Sequence, residues 1–312
     1  MGSSGAGRSV VLVYHRIVSG QRDPFELCVT PEQFAEHLAC VHALASVVPL
    51  GDLLTPAPEP RVAITLDDGY ADSLTDALPV LEASQTPTTA FVCTDTLEDG
   101  RVFWWDRLAA LVYRAPMTRS GRTIDVDGTP IRLRLWHRRS RFQTIAALHP
   151  ALRPLPPATI DAHLDELERL IGDGTATVAG SDRGYRIAPR LEAAALRTFA
   201  ASPLVTIGAH TRTHPWLASL PPAEQRAEIE AGRDTLEAVL GTTPTTFAYP
   251  FGQAASFDGV TPTLVADAGF ESAWTTERGD VGAAADRFQL PRCSVGTRSP
   301  DALAATVREL LA

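Results

Sequence analysis

The chain has 312 residues and a net charge of −9, and it is 45% hydrophobic and 21% charged, an ordinary globular balance that argues against nucleic acid as a partner. No apolar run reaches the ~18 residues of a membrane helix, and the opening MGSSGAGRSVVLVYHRI has no basic segment ahead of a long apolar one, so no membrane partner and a cytoplasmic location are expected. Four widely spaced cysteines, Cys28, Cys40, Cys93 and Cys293, form no CxxC pair, which argues against a disulfide framework and against a cysteine-rich zinc site.

In chain order, SVVLVYHRI (9–17) reads as a buried strand ending in a histidine. TPEQFAEHLACVHAL reads as a helix with Thr30 as N-cap and Pro31 at the first helical position; His37 and His42 on it are expected at the surface. LLTPAPEPR (53–61) is a stiff loop. RVAITLDD is a second buried strand, SLTDALPVLEAS a helix despite Pro79, and TTAFVCT (88–94) a third strand, a parallel βα rhythm.

Residues 96–200 break that rhythm. FWWDRLAALVYRA is an aromatic helix, TIDVDGTPIRLRLW a hairpin about its DG turn, and LPPATIDAHLDELERLIGD a helix with Thr159 or Asp161 as cap. This stretch is expected to be an insertion, a candidate lid that selects substrate, within one domain spanning 9–312. The rhythm returns at VTIGAHT (205–211), the helix PAEQRAEIEAGRDTLEAVLG, TTFAYPFG, TPTLVADAGF, SAWTT and RFQLPRCSV, and PDALAATVRELL is the last helix. The charge-dense stretches 161–170 and 223–237 read as solvated faces.

Loops after strand ends carry function in βα barrels, so His15, Asp67, Asp68, His210, the YPFG turn and Arg292 are expected to converge. His210 and His214 are four apart; one helical turn would put both imidazoles on one face, able to bind one metal. A carboxylate completes such a set and leaves positions for water and substrate. Adjacent aspartates at a strand end can then divide the work, one binding metal and the other staying free as a base for metal-bound water. Taken singly, DDG is a turn, HxxxH an incidental pair and YPFG a tight turn; their conjunction after predicted strands carries the reading.

TLDDGY, HTRTH and FAYPFG, in that order, resemble the polysaccharide deacetylase family (carbohydrate esterase family 4). The resemblance covers roughly residues 9–95 and 203–310. It implies an α/β fold, a distorted (β/α) barrel, and removal of N- or O-acetyl groups with a divalent metal, most often Zn2+, with Co2+, Ni2+ or Mn2+ as alternatives. It also implies Asp67 as catalytic base, Asp68, His210 and His214 as metal ligands, and the Phe251 backbone N–H as donor to the oxyanion.

Two features depart from that pattern. Where many members have an arginine two residues before the proline of the third motif, this chain has Ala248; where many have Leu-x-His near the C-terminus, it has LPR, with Arg292. Arg292 is expected to take over the missing arginine's task, holding the base aspartate bidentately and ionised. A leaving amine needs an acid, and His15 is the candidate, resembling the Tyr-His of a branch that deacetylates poly-N-acetylglucosamine; the alternative is a strand-end histidine bonded to backbone. His137, His149 and His163 read as structural. Trp104 and Trp105 point to different helix faces, so one can meet a sugar ring while the other is core. Tyr70, Tyr249, Trp105, Asp106 and Trp274 are the candidate substrate contacts.

The expected activity is metal-dependent hydrolysis of an N-acetyl group on an amino sugar or sugar-containing small molecule. A deformylase or other linear amide hydrolase is the nearest alternative. A catalytically silent sugar-binding protein is the alternative of another class, kept open by Ala248 and Arg292.

Overall fold

The computed structural model describes residues 7–20, 22–95, 97, 102–117, 121–172, 185–282 and 285–312. The chain divides into two compact units, one made of Met1–Ser19, Glu26–Gly100 and Arg190–Ala312, the other of Gly20–Phe25 and Arg101–Pro189.

The first unit is built on an eight-stranded parallel sheet. Ser9–Tyr14, Arg61–Leu66, Thr88–Val92, Val205–Ala209, Thr246–Ala248 and Ser272–Trp274 lie side by side in chain order. The strands are apolar on both faces, as helix-covered parallel strands must be, and Val10 to Val13 are wholly buried. The ring is then bridged. Leu290 pairs with Trp274 on one side, and Cys293 and Ser294 pair with Leu12 and Val13 of the first strand on the other. This is the distorted (β/α) barrel expected from the sequence, with residues 290–294 filling the gap.

Local signals explain the helices. Thr30 Oγ1 accepts the Gln33 N–H at 3.2 Å, capping Pro31–His42, and Phe34, Leu38 and Val41 bury one face. Pro79 does not break its helix, because Ser73–Ala77 is a π-helical turn and the α-helix Leu78–Ser84 starts afresh with Pro79 in its first turn. His37 is a correction: it is wholly buried, not on the surface. Gln33 and His37, one turn apart, both bond the Arg298 carbonyl, at 2.7 and 3.0 Å, so the C-terminal segment covers the face that the helix pattern left open. His42 is exposed, as expected.

The second unit has its own core. Leu108 and Val112 of the helix Trp104–Arg114 pack with Ile145 and Leu148 of Arg138–Leu152 and with Leu164 and Leu167 of Pro157–Ile171. The hairpin Thr123–Val126/Thr129–Arg132 turns at Asp127 and Gly128, both left-handed with φ 48° and 79°, as a two-residue hairpin loop requires. Neither Thr159 nor Asp161 caps the Pro157–Ile171 helix; it starts earlier, with Pro157 supplying the preset φ of a first helical residue. His137 caps Arg138–Leu152, its Nδ1 accepting the Ser140 N–H at 3.0 Å. The helix Ala193–Ala200 belongs to the first unit, where Leu196 and Phe199 join the main core, so the second unit ends before the expected residue 200. No helix among the described residues is long and apolar enough to cross a membrane.

His149 lies between Phe25 and Trp104, with ring centroids 4.9 and 5.1 Å away. Burial, helped by the Arg153 charge, pushes its pKa from 6.5 down to about 4. The folded unit therefore holds His149 neutral, and stability present above pH 6.5 is lost as pH falls through that value toward about 4. Denaturant unfolding read by tryptophan fluorescence is expected to show this acid loss, and His149→Phe to reduce it. An equal loss in both proteins would exclude His149 as the cause.

Candidate active site

The carboxyl ends of neighbouring strands deliver the chemistry. The Asp67 N–H continues the ladder to the Tyr14 carbonyl at 2.9 Å, and the His210 N–H continues it to the Val92 carbonyl at 3.2 Å. The chain then turns sharply at Asp68, φ 77°, and Gly69, φ 86°. Aspartate tolerates that left-handed geometry, and Gly69 is required twice over, since a Cβ there would lie 2.9 Å from Val92 Cγ1. The glycine of DDG thus bends the chain under the two carboxylates.

Asp67 is 2% exposed and meets Arg292, which is 0% exposed. The contact is two-pronged, Nη1 to Oδ1 and Nη2 to Oδ2, each at 2.8 Å. Arg292 also donates from Nε to the Thr275 carbonyl at 2.9 Å and from Nη1 to Thr65 Oγ1 at 3.2 Å, so its fork is fixed from three sides. It comes from the segment that fills the barrel gap, between Leu290 and Cys293. Ala248, by contrast, is a wholly buried strand residue packed in one cluster with Phe91 and Trp274. Burial by itself would raise the Asp67 pKa; Arg292, with His210 and then His15 adding to it, outweighs burial and holds the carboxyl below its usual range.

Beside it, Asp68, His210 and His214 are all buried, and one ligand atom from each lies within 4.8 Å of the others. The Nε2 atoms of His210 and His214 stand 3.6 and 3.4 Å from Asp68 Oδ1. A tetrahedral ion with bonds of ~2.1 Å sets its ligand atoms about 3.4 Å apart, so the spacing fits a metal such as Zn2+. The tautomer fits as well. His210 Nδ1–H donates to the Ala248 carbonyl at 2.7 Å, which leaves the Nε2 lone pair facing Asp68. Burial, then the neighbouring His210 imidazole, push the His214 pKa down to about 3, so that ring is a neutral donor. Burial alone would raise the Asp68 pKa, but the imidazoles of His210, His15 and His214 that face it outweigh burial and hold the carboxyl well below its usual range.

The two histidines do not share a helical turn, which corrects the sequence argument for their pairing. They sit on a loop in which Thr211 and His214 are both left-handed, φ 64° and 60°. Such residues cost about 1–3 kcal/mol each and persist only where the surroundings enforce them. Thr211 Oγ1 accepts the His214 N–H at 3.1 Å, and Glu228, on the helix Pro222–Leu240, accepts from the loop's backbone. Glu228 was not singled out by sequence, because its helix reads as a solvated face. The signal was present: Gln225, Ile229, Gly232 and Leu236 form the buried stripe, and Glu228 lies on it.

The other candidates divide. His15 follows the first strand, is partly exposed, and acts electrostatically on both aspartates. Phe251 is left-handed, φ 61°, in a turn closed by a Gly252 N–H bond to the Pro250 carbonyl at 2.7 Å, and its ring is 4.6 Å from that of His214. Tyr70, Tyr249 and Trp274 are wholly buried, which corrects their placing on a substrate wall. Tyr70 packs under the Arg16 guanidinium at 4.8 Å, the Tyr249 hydroxyl donates to the Phe288 carbonyl at 2.6 Å, and Trp274 Nε1–H donates to Thr246 Oγ1 at 2.8 Å. Trp105 and Asp106 are core residues of the second unit: Trp105 stacks on Phe103 at 4.1 Å, and Asp106 accepts the Tyr185 hydroxyl. Trp104 is the half-buried member of the pair. The buried pair Arg16–Asp72, N to O at 2.9 Å, also went unread; Asp72 Oδ1 takes the Ile17 N–H and so ties the segment after His15 to the loop after Asp68.

The family model described as Polysaccharide deacetylase matches residues 55–273. No curated protein matches the chain. Among solved structures, the Streptococcus pyogenes deacetylase PplD in complex with acetate is similar over 97% of this chain and 99% of its own, at TM-score 0.60 and 17% identity. IcaB from Ammonifex degensii is similar over 97% and 98%, at 0.61 and 18%. A de-N-acetylase from Aggregatibacter actinomycetemcomitans is similar over 97% and 100%, at 0.58 and 14%. At these identities the likenesses speak for the fold. The family match runs from ahead of Asp67 to beyond Phe251 and takes in more than half of the sequence, and the chain therefore belongs to the polysaccharide deacetylase family.

Proposed function

We propose that the protein is a metal-dependent N-deacetylase that releases acetate from an N-acetylated amino sugar or a sugar-containing molecule. The observation that carries this is a carboxylate held ionised by Arg292 directly beside a buried carboxylate and two buried imidazoles whose ligand atoms lie close enough together to share one ion. Asp68, His210 and His214 would hold the ion. A divalent metal supplies Lewis acidity there, polarising an acyl oxygen and making water a nucleophile near neutral pH.

The chain's own groups supply the rest. Asp67, fixed by Arg292, accepts the proton of the attacking water. The Phe251 N–H donates to the oxygen that gains charge as the carbonyl becomes tetrahedral. His15 gives a proton to the amide nitrogen as the C–N bond breaks, so acetate and a free amine leave. The Arg292–Asp67 pair weighs against a silent binder, since a buried base beside a ligand set adds nothing to sugar binding.

The test is acetate release from zinc-loaded protein over N-acetylated amino sugars, nucleotide sugars and short chitin oligomers, before and after chelation. Acetate that appears with metal and stops on chelation is expected. Formate from N-formyl analogues with no acetate would favour the deformylase instead, and no product with metal bound would favour the binder.

A further inference from the structure

The metal-ligand loop is held by one helix at two points a turn apart. Glu228 Oε2 accepts the Thr213 N–H at 2.8 Å and the Arg212 N–H at 3.2 Å, and its Oε1 accepts the Thr213 hydroxyl at 2.9 Å. The Arg212 N–H also reaches the Glu228 carbonyl at 3.0 Å. Four residues on, Gly232 lets the helix touch the loop backbone: a Cβ there would lie 2.7 Å from the Thr211 carbonyl carbon and 2.8 Å from its oxygen. From the other side the Arg212 carbonyl accepts the N–H groups of Thr94 and Asp95, at 3.1 and 3.0 Å.

These contacts fall between His210 and His214, on the stretch where the chain must be left-handed twice. A β-branched threonine does not choose that conformation, so something outside the loop imposes it. We infer that Glu228 is a positioning residue for the metal centre: with Gly232 it forms a seat that fixes the 211–214 backbone and so sets the His214 imidazole at ligand distance from Asp68. The inference rests on the metal-centre reading above. It assigns a function to a helix whose charge pattern suggests only solvation. A preset ligand geometry binds metal more tightly than a loop that must be ordered by the metal, and loss of such outer supports typically weakens affinity 10–100-fold.

The test measures zinc affinity of the full chain by competition with a chromophoric chelator, with unfolding of the metal-free protein followed in parallel. The variants are Glu228→Gln, Thr213→Val and, as control, Asp68→Ala. Glu228→Gln replaces an acceptor oxygen with an amide that faces other donors, and a 10–100-fold rise in Kd is expected. Thr213→Val removes a single hydroxyl bond and is expected to move Kd the same way by less; it carries the test if Glu228→Gln fails to fold. A merely structural Glu228 would lower the unfolding midpoint and leave the affinity of folded molecules within about twofold of wild type. That result, with zinc binding lost in Asp68→Ala, overturns the inference alone. Wild-type affinity in Asp68→Ala overturns the metal-centre reading and takes the inference with it.

Discussion

Asp67→Asn is expected to lower turnover by about a thousandfold or more, the range of general-base catalysis, while zinc binding stays within a fewfold of wild type. The substitution keeps the size and shape of the side chain and removes its capacity to take a proton. Asp67 is not among the three groups that converge as ligands, so the ion has no reason to leave. The variant does lose the charge that faces Arg292, so some stability should fall with it. Acetate release and zinc content measured on one preparation separate the roles. Turnover and zinc lost together would make Asp67 a ligand and reverse the assignment of the two aspartates.

Arg292→Ala is expected to cost about 3–5 kcal/mol of folding stability, because it strands a buried carboxylate and empties a fully buried site. Arg292→Lys is the more informative change. A lysine carries the charge but not the planar fork, so it cannot reproduce two parallel bonds to Asp67 together with the bonds to Thr65 and Thr275. Burial then gains on the remaining charge, and the Asp67 pKa rises. The acid limb of the pH–rate profile is expected to move to higher pH. The stability contributed by this pair follows the same sign: it is present above the ordinary carboxylate pKa and is lost as pH falls through the depressed folded value. Full activity and an unshifted profile in Arg292→Lys would remove Arg292 from the mechanism.

Much of this molecule could be read along the chain because its signals are local. Apolar runs ending in Asp67, His210 and the YPFG turn mark parallel strands that end on one face, and motif order does the rest. What failed involved contacts between distant segments. His210 and His214 were paired for the wrong reason, because a spacing of four suits a helix, whereas the loop owes its shape to Glu228 and Gly232. His37 reads as exposed until residue 298 arrives to cover it. Tyr249 and Trp274 look like pocket walls because they stand at strand ends, and sequence does not show that their polar atoms are already spent on Phe288 and Thr246. Trp105 and Asp106 sit in a unit whose interior is organised by its own helices.

The bridging of the barrel has a consequence for how the protein comes to be active. Residues 290–294 complete the ring between strands from opposite ends of the sequence, and the same short segment delivers the guanidinium that clamps Asp67. During synthesis Asp67, Asp68, His210 and His214 all leave the ribosome before Arg292, so Asp67 has no counter-charge until this late stretch docks. Pairing of such sequence-distant strands is also a slow event in folding. On the proposed function, hydrolysis thus depends on residues 290–294 being in place, and a chain cut short before them would keep Asp67, Asp68, His210 and His214 without the clamp on Asp67.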